Sequence, residues 1–307
     1  MSLHVFANIV TGYGTAANNR AENEGNITTL QKLIWQGQSH STVSAEAIRF
    51  ALRRLLATAE SNGTNRSWDE GERTNDWKDN RFQGWANDSN STYIDDDLLG
   101  FMTADAANEE GQAGSANVRR AVLEVTRAVS LTPWSGDVTF NAASPGATAS
   151  AAKGDNKSKN PVPYGTEVHA TRYQFGVALT PDRLRDKSRT AKAVKSLCEL
   201  GTVAGNHGRF LFDFSPDAVV FRLTDDPAPR LLYCFASDDE GKTVHATSLL
   251  KRLESGDIAA DELIVGVSDL SSPLAADLKA QGVIVMGVKA AAAEAVKRIN
   301  AKLGVKE

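Results

Sequence analysis

An α+β fold with large insertions is predicted for this chain of 307 residues by three features of its sequence. Short apolar, β-branched runs of strand type occur along it, two amphipathic helical patterns fall between them, and long polar stretches interrupt the series. Leu3–Val10 (LHVFANIV) reads as a buried first strand, followed by a Gly- and Asn-rich stretch and a second apolar run at Leu30–Trp35. QGQSHSTVS then reads as a polar loop leading into a helix.

That helix is the clearest element. In SAEAIRFALRRLLATAE, Ile48, Ala51, Leu52, Leu55, Leu56 and Ala59 recur at i, i+3, i+4, i+7, i+8 and i+11, one apolar stripe. Ser44 is placed to cap its N-terminus and Glu46 suits the positive end of the dipole. Arg49 and Arg53, four apart, share a face away from the stripe, either as a solvated face or as phosphate contacts.

Residues 62–114 are dense in Gly, Asn, Asp and Ser but hold Trp68, Trp77 and Trp85, so they read as a folded insertion rather than a disordered linker. Val118–Leu131 returns to strand character, and Ser144–Asn160, small, polar and lysine-bearing, reads as a projecting hairpin or arm. Tyr173–Leu179 is a strand, Ser188–Leu200 a helix with Ala191, Val194, Leu197 and Cys198 on one side, and Phe210–Leu223 and Arg230–Ala236 two strands after the turn Gly201–Gly208. The remainder alternates strand and helix, ending in a helix from Lys289 to Leu303. The order strand, helix, strand, strand, helix, strand fits a ferredoxin-like sheet of the kind found in RNA-recognition domains.

Composition narrows the function. With 41% hydrophobic and 23% charged residues the chain is ordinary globular protein. MSLHVFANIVTG lacks the form of a signal peptide, and no stretch reaches the roughly 18 apolar residues of a membrane helix, so a cytoplasmic protein without a membrane partner is expected. Cys198 and Cys234, both in apolar runs, read as buried free thiols. The net charge of −4 is unevenly spread: residues 61–110 hold four basic and twelve acidic residues, whereas Pro181–Arg209 holds seven basic and three acidic. Segment charge matters more to a polyanion than the total.

Catalytic signatures are missing. His4, His40, His169, His207 and His245 form no i, i+4 pair, and there is no HExxH, CxxC, GxSxG or phosphate-binding GxxxxGK. Asp95–Asp97 reads as a solvated acidic loop rather than a metal site, since adjacent carboxylates do not converge on an ion unless a loop wraps it. No cofactor and no metal are expected. His40 and His207, the histidines in polar loops, keep an endoribonuclease alternative open.

Two segments carry a resemblance. QGQSHSTVSAEAIRFALRRLL and AGNHGRFLFDFSPDAVVFRLTDDPAPRLLY, with the LHVFANIVT strand, the DDDLLGFM run and AVSLTPW, resemble the backbone subunit of type I CRISPR Cascade complexes. Within the RAMP superfamily they are similar to its DevR-like autoregulator family, in a I-B-like setting, and the matches run from residue 3 to about 235. The resemblance implies an RRM-type palm (residues 1–60 and 115–307, with a C-terminal α/β extension), a finger insertion at 61–114 and a thumb hairpin at 137–163. It also implies a non-enzyme that polymerises head to tail along a crRNA, leaves most bases free to pair with a target DNA strand and displaces one at regular intervals with its thumb. Its partners would be further copies of itself, other Cascade subunits and a separate helicase–nuclease that does the cutting.

The physical reading agrees. A subunit that accepts any guide needs donors for phosphates and 2′-hydroxyls rather than base-edge contacts. Gln38, Ser39, His40, Ser41 and Ser44 offer short donors near a helix N-terminus, Arg49 and Arg53 add charge, Asn206, His207 and Arg209 form a second polar turn, and Lys153, Lys157 and Lys159 charge the thumb. The acidic finger would contact a basic neighbour or repel non-target nucleic acid; the sequence leaves both open.

The arm gives a test. Changing Lys153, Lys157 and Lys159 to Ala is expected to leave the melting temperature nearly unchanged, because exposed substitutions stay within about 0.5 kcal/mol. The same change should lower the slope of log affinity for single-stranded RNA against log salt by about 0.7 per lost phosphate contact. Binding isotherms at several salt concentrations measure this, and an unchanged slope would make the arm a passive loop.

Overall fold

The computed structural model describes residues 2–88, 90–104, 116–144, 162–205, 207–238 and 240–305. Its centre is a nine-stranded sheet. The strands are β1 (His4–Thr11), β2 (Lys32–Trp35), β3 (Gln38–Val43), β4 (Leu123–Val125), β5 (Ala128–Ser130), β6 (Tyr173–Leu179), β7 (Pro216–Thr224), β8 (Leu263–Val267) and β9 (Ile284–Met286). Across the sheet the order is β9-β8-β7-β1-β6-β5-β3-β2, with β4 paired beside β5 on β6. All pairs are antiparallel except β8 with β9. Among the described residues six α-helices accompany it: α1 (Ala45–Leu56), α2 (Ile94–Leu99), α3 (Arg189–Cys198), α4 (Thr247–Glu254), α5 (Pro273–Ala280) and α6 (Val288–Leu303). The class is α+β.

β1 shows why the sheet is buried on both sides. Its residues alternate as the pleat demands. Val5, Ala7 and Ile9 join Ile48 and Leu52 of α1, Val194 and Leu197 of α3, and Ala295 and Ile299 of α6 in one core. Phe6 and Val10 join Leu249 of α4, Leu274 and Leu278 of α5, Leu231 and Phe235 in a second core on the opposite face. Hence the first strand reads as a continuous apolar run instead of an alternating one. Both cysteines are free and buried, and burial pushes each thiol up to about 12.

The α1 reading holds: Ile48, Ala51, Leu52 and Leu56 are buried, and the Ser44 hydroxyl accepts from the Ala47 N–H at 3.2 Å. Other expectations are corrected. QGQSHSTVS is not a loop. Gln36 and Gly37 both take positive φ (52° and 82°), a two-residue hairpin turn, and Gln38–Val43 is strand β3. Its polar residues hid the strand because their partners lie elsewhere in the chain: His40 Nδ1 donates to the Ser130 carbonyl at 2.7 Å, and Ser41 Oγ bonds Tyr173 Oη at 2.6 Å and His169 Nδ1 at 2.7 Å.

Arg230–Ala236 is likewise not a strand. Arg230 and Tyr233 have φ of 55°, and side chains satisfy the backbone there. Buried Asn8 accepts from Tyr233 N–H at 3.0 Å, and Gln174 donates to Phe235 O at 2.8 Å. Phe210–Leu223 is strand only from Pro216 onward, because Phe212 and Phe214 leave the sheet to pack on Tyr173.

The largest correction concerns Asp95–Asp97. They form a turn of α2 and are at most 2% exposed. Asp95 accepts the backbone N–H of Asn65 (2.7 Å) and Arg66 (3.2 Å) and pairs with Arg53 at 3.1 Å. Asp96 accepts from the Asn65 side chain at 2.9 Å. Asp97 pairs with Arg189 at 3.0 Å and Arg119 at 2.6 Å, and accepts the N–H groups of Arg185 and Asp186. Arg189 of α3 is buried between Asp97 and Glu60. Gly100 ends α2 with φ 67° and ψ 175°, a conformation open to glycine alone, and a Cβ there would collide with the Arg119 carbonyl.

Within 61–114, the hairpin of Arg66–Asp69 and Thr74–Trp77 projects beside α1, whereas Ile94, Leu98 and Leu99 lie in the main core. Within 137–163, Val138–Ala143 pairs with Val162–Glu167 as an antiparallel hairpin. Lys153, Lys157 and Lys159 lie outside the described residues.

Asp97→Ala removes the carboxylate of Arg119 and one of the two carboxylates of buried Arg189. It is expected to cost about 3–5 kcal/mol in urea unfolding, as when one partner of a buried pair is removed. Asp88→Ala, whose carboxylate pairs with Arg185 but is 99% exposed, should stay within about 0.5 kcal/mol of the parent. Equal losses would mean the buried node carries no special weight.

Candidate nucleic-acid interface

The arginine pair of α1 leads to the site. Spacing by four puts Arg49 and Arg53 on one helix face, and the fold adds Arg66 from the projecting hairpin and Arg119 from the strand Ala116–Arg119. These four line a cleft of about 800 Å³ whose walls also include Phe50, Trp77 and Phe101. Arg49 donates to the Leu99 carbonyl, Arg53 pairs with Asp95, Arg66 donates to Asn75 at 2.7 Å, and Arg119 pairs with Asp97.

The electrostatics favour an anion. Burial, and then the neighbouring charge of Arg53, pulls Arg49 below the ordinary arginine value, with Glu46 opposing. Arg66 is lowered by burial and by Arg53 and Arg49, against the pull of Asp95. Beneath them Asp96 is raised to about 7, first by burial and then by the carboxylate of Asp95. Neutral Asp96 withdraws one negative charge from the floor. Guanidiniums crowded this way are relieved by a phosphate, which accepts their planar forks two bonds at a time.

The structure distributes the expected donors unevenly. Gln38 is exposed and Ser39 half-buried at the β2–β3 turn, while Ser44 is spent on capping α1. His40 and Ser41 are buried and bonded within the protein, so neither is a surface donor here. His169, unremarked as a site, completes that buried node and is lowered to about 4 by desolvation, hence neutral. Arg209 is exposed, with its guanidinium 5.0 Å from the Tyr164 ring centre. Neither ring nitrogen of His207 has a partner among the described residues. Asn206 lies outside the described residues. Arg66, Arg119 and the tryptophans beside them escaped the sequence reading. Arg66 lies in a strongly acidic segment, and nothing in either arginine's neighbourhood announces that the chain folds them toward α1.

Among the described residues no group of three or more His, Cys, Asp or Glu is arranged to hold a metal ion, and no helix is long and apolar enough to cross a membrane.

Comparison with known proteins converges on one family. Residues 13–199 match the family described as CRISPR-associated negative auto-regulator DevR/Csa2. A Myxococcus xanthus (strain DK1622) protein named CRISPR-associated protein Cas7/Cst2/DevR is 63% identical over 267 residues, 87% of each chain. Two solved structures share the fold. A chain of a CRISPR RNA-guided surveillance complex aligns with a TM-score of 0.54 at 16% identity, over 95% of this chain and 99% of the other. A chain of such a complex in a pre-nicking state aligns with a TM-score of 0.54 at 12% identity, over 95% and 100%.

Asp96 yields a pH prediction. Its folded value, about 7, exceeds the ordinary 3.8, so the folded state holds the proton more tightly. Stability from this group is complete below about 3.8 and is lost as pH rises through about 7. Asp96→Asn, which keeps an acceptor for Asn65, should match the parent in urea unfolding near pH 4 and exceed it at pH 8. Parallel pH profiles for the two proteins would refute the assignment.

Proposed function

The chain belongs to the DevR/Csa2 family of CRISPR-associated proteins, and from that premise we propose that it is a guide-RNA-binding subunit of a CRISPR surveillance complex. It grips the sugar-phosphate backbone and leaves most bases for pairing with a target DNA strand. The observation that carries this reading is the crowding of Arg49, Arg53 and Arg66 along one cleft, over a floor where burial and the Asp95 carboxylate raise Asp96 to about 7. Such a cleft recognises phosphate and carries no code for base edges.

The architecture supports the finer parts. Strands β7-β1-β6 followed by β4 and β5 run in the order and antiparallel sense of a ferredoxin-like palm, with α1 and α3 as its two crossover helices. On this reading 61–114 is the finger and the hairpin within 137–163 the thumb. The thumb strand Val138–Ala143 holds Phe140 with 80% of its surface exposed and Val138 nearly half exposed, apolar area suited to a neighbouring copy in a head-to-tail filament. Other subunits of the complex would cap such a filament in the cytoplasm. The reading assigns no bond-breaking step to this chain; cutting of the target belongs to a separate helicase–nuclease.

Fluorescence anisotropy with labelled single-stranded RNA at several salt concentrations tests it. The parent should bind without sequence preference, and affinity should fall steeply with salt. Arg49→Gln and Arg66→Gln should each reduce the slope of log affinity against log salt by about 0.7. No binding at low salt, or slopes indifferent to both changes, would overturn the reading.

A further inference from the structure

The hairpin facing α1 presents more than charge. Its register sets Arg66 opposite Trp77 and Trp68 opposite Asn75, so these four side chains emerge on one face. Trp68 meets Phe50 of α1 edge to face, with ring centres 6.3 Å apart. Trp77 stands 5.6 Å from Phe82, and the Arg66 guanidinium lies 5.5 Å from its ring centre. Each indole is thus fixed from one side by a neighbour. Each nevertheless remains 39% exposed.

Their position relative to the arginines is specific. Trp77 lines the cleft of about 800 Å³ and Trp68 an adjoining one of about 320 Å³, while Phe50, Arg53 and Arg66 line both. A single exposed aromatic residue needs no explanation. Two rigid indoles on one face, held by edge contacts and flanked by guanidiniums, combine the two elements that bind single strands: cations for the backbone and π faces for bases.

We propose that Trp68 and Trp77 are stacking platforms for unpaired bases of the strand whose phosphates Arg49, Arg53 and Arg66 hold. The proposal rests on the RNA-binding reading and adds a ligand to it, a flat heterocycle in contact with indole. Stacking is tolerant of sequence because every base has a π face, so it is compatible with a subunit that accepts any guide. The diagonal placement of the two residues, about 7–8 Å between such positions, gives each platform its own base. Bases so held are withheld from pairing, and a duplex cannot supply them.

The test compares three labelled ligands of equal length on the intact protein at one salt concentration: an oligouridylate, an abasic ribose-phosphate oligomer, and the oligouridylate annealed to oligoadenylate. The oligouridylate is expected to bind at least on the order of ten-fold more tightly than the abasic oligomer and to quench tryptophan emission, and annealing should abolish that advantage. Trp68→Leu should lower oligouridylate affinity on the order of ten-fold and leave abasic binding unchanged, so that the abasic ligand reports on folding within the same experiment. Trp77→Leu, which also removes a wall of the arginine cleft, should lower oligouridylate affinity by a larger factor than abasic affinity. Equal affinity of the parent for base-bearing and abasic oligomers would overturn the platforms while sparing the backbone reading. Failure of the parent to bind either oligomer would overturn the backbone reading itself.

Discussion

Three consecutive carboxylates on one short helix hold the 61–114 insertion, helices α1 and α3 and the arginine cleft in a fixed relation. Successive residues on a helix point roughly 100° apart, so the three carboxylates spread over several partners. Asp95 and Asp96 meet at Asn65, and Asp97 faces α3 and a later strand. Asp95 anchors the start of the hairpin strand at Asn65 and Arg66 and neutralises part of Arg53. Asp97 joins α3 to the strand Ala116–Arg119 through Arg189 and Arg119. Glu60, at the end of the α1 segment, closes the same network on Arg189 and Lys192. Buried charge of this kind adds little stability over an apolar core, but breaking one member costs a great deal, so it fixes one arrangement among many. The geometry of the cleft follows from it, since Arg53 and Arg119 are at once structural partners and cleft lining.

The sequence was most legible where one period dominates. The α1 stripe, the Ser44 cap and the last helix emerged from spacing, and the first strand from an unbroken apolar run, because it is buried on both faces. Legibility failed where burial depends on a partner far along the chain. Ser41 is buried only because Tyr173 and His169 bond it across more than 120 residues, and polar composition on that strand reads as loop. Asp95–Asp97 failed for the same reason, as their cations come from α1, α3 and a later strand. Half of the candidate cleft was visible, Arg49 and Arg53, because both sit on the helix that spacing revealed. Arg66 and Arg119 are supplied by tertiary folding alone. The acidic character of 61–110 is partly explained by the three aspartates, which are consumed inside the protein rather than presented to solvent.

The C-terminal segment changes what the central sheet can do. α4, α5 and the apolar residues around Phe235 cover the face of β1 and β7 opposite α1. Single-domain RNA-recognition sheets use an open face of this kind to stack and read bases. Here that face is core, so any nucleic acid has to be met by helices, hairpins and loops around the sheet. This favours contact with backbone over readout of base edges and is consistent with the arginine cleft lying beside α1 rather than on the strands.

The two ends of the sheet carry a different consequence. β2 and β9, the outermost strands, are four and three residues long, and β2 places Lys32 on its exposed side. Edges this short are poor templates for another strand. Two molecules of this protein therefore have little means of fusing into one continuous hydrogen-bonded ribbon, the route by which β-rich proteins become irreversible aggregates. Copies of this protein can thus be crowded and separated again without either of these edges joining one backbone to the next.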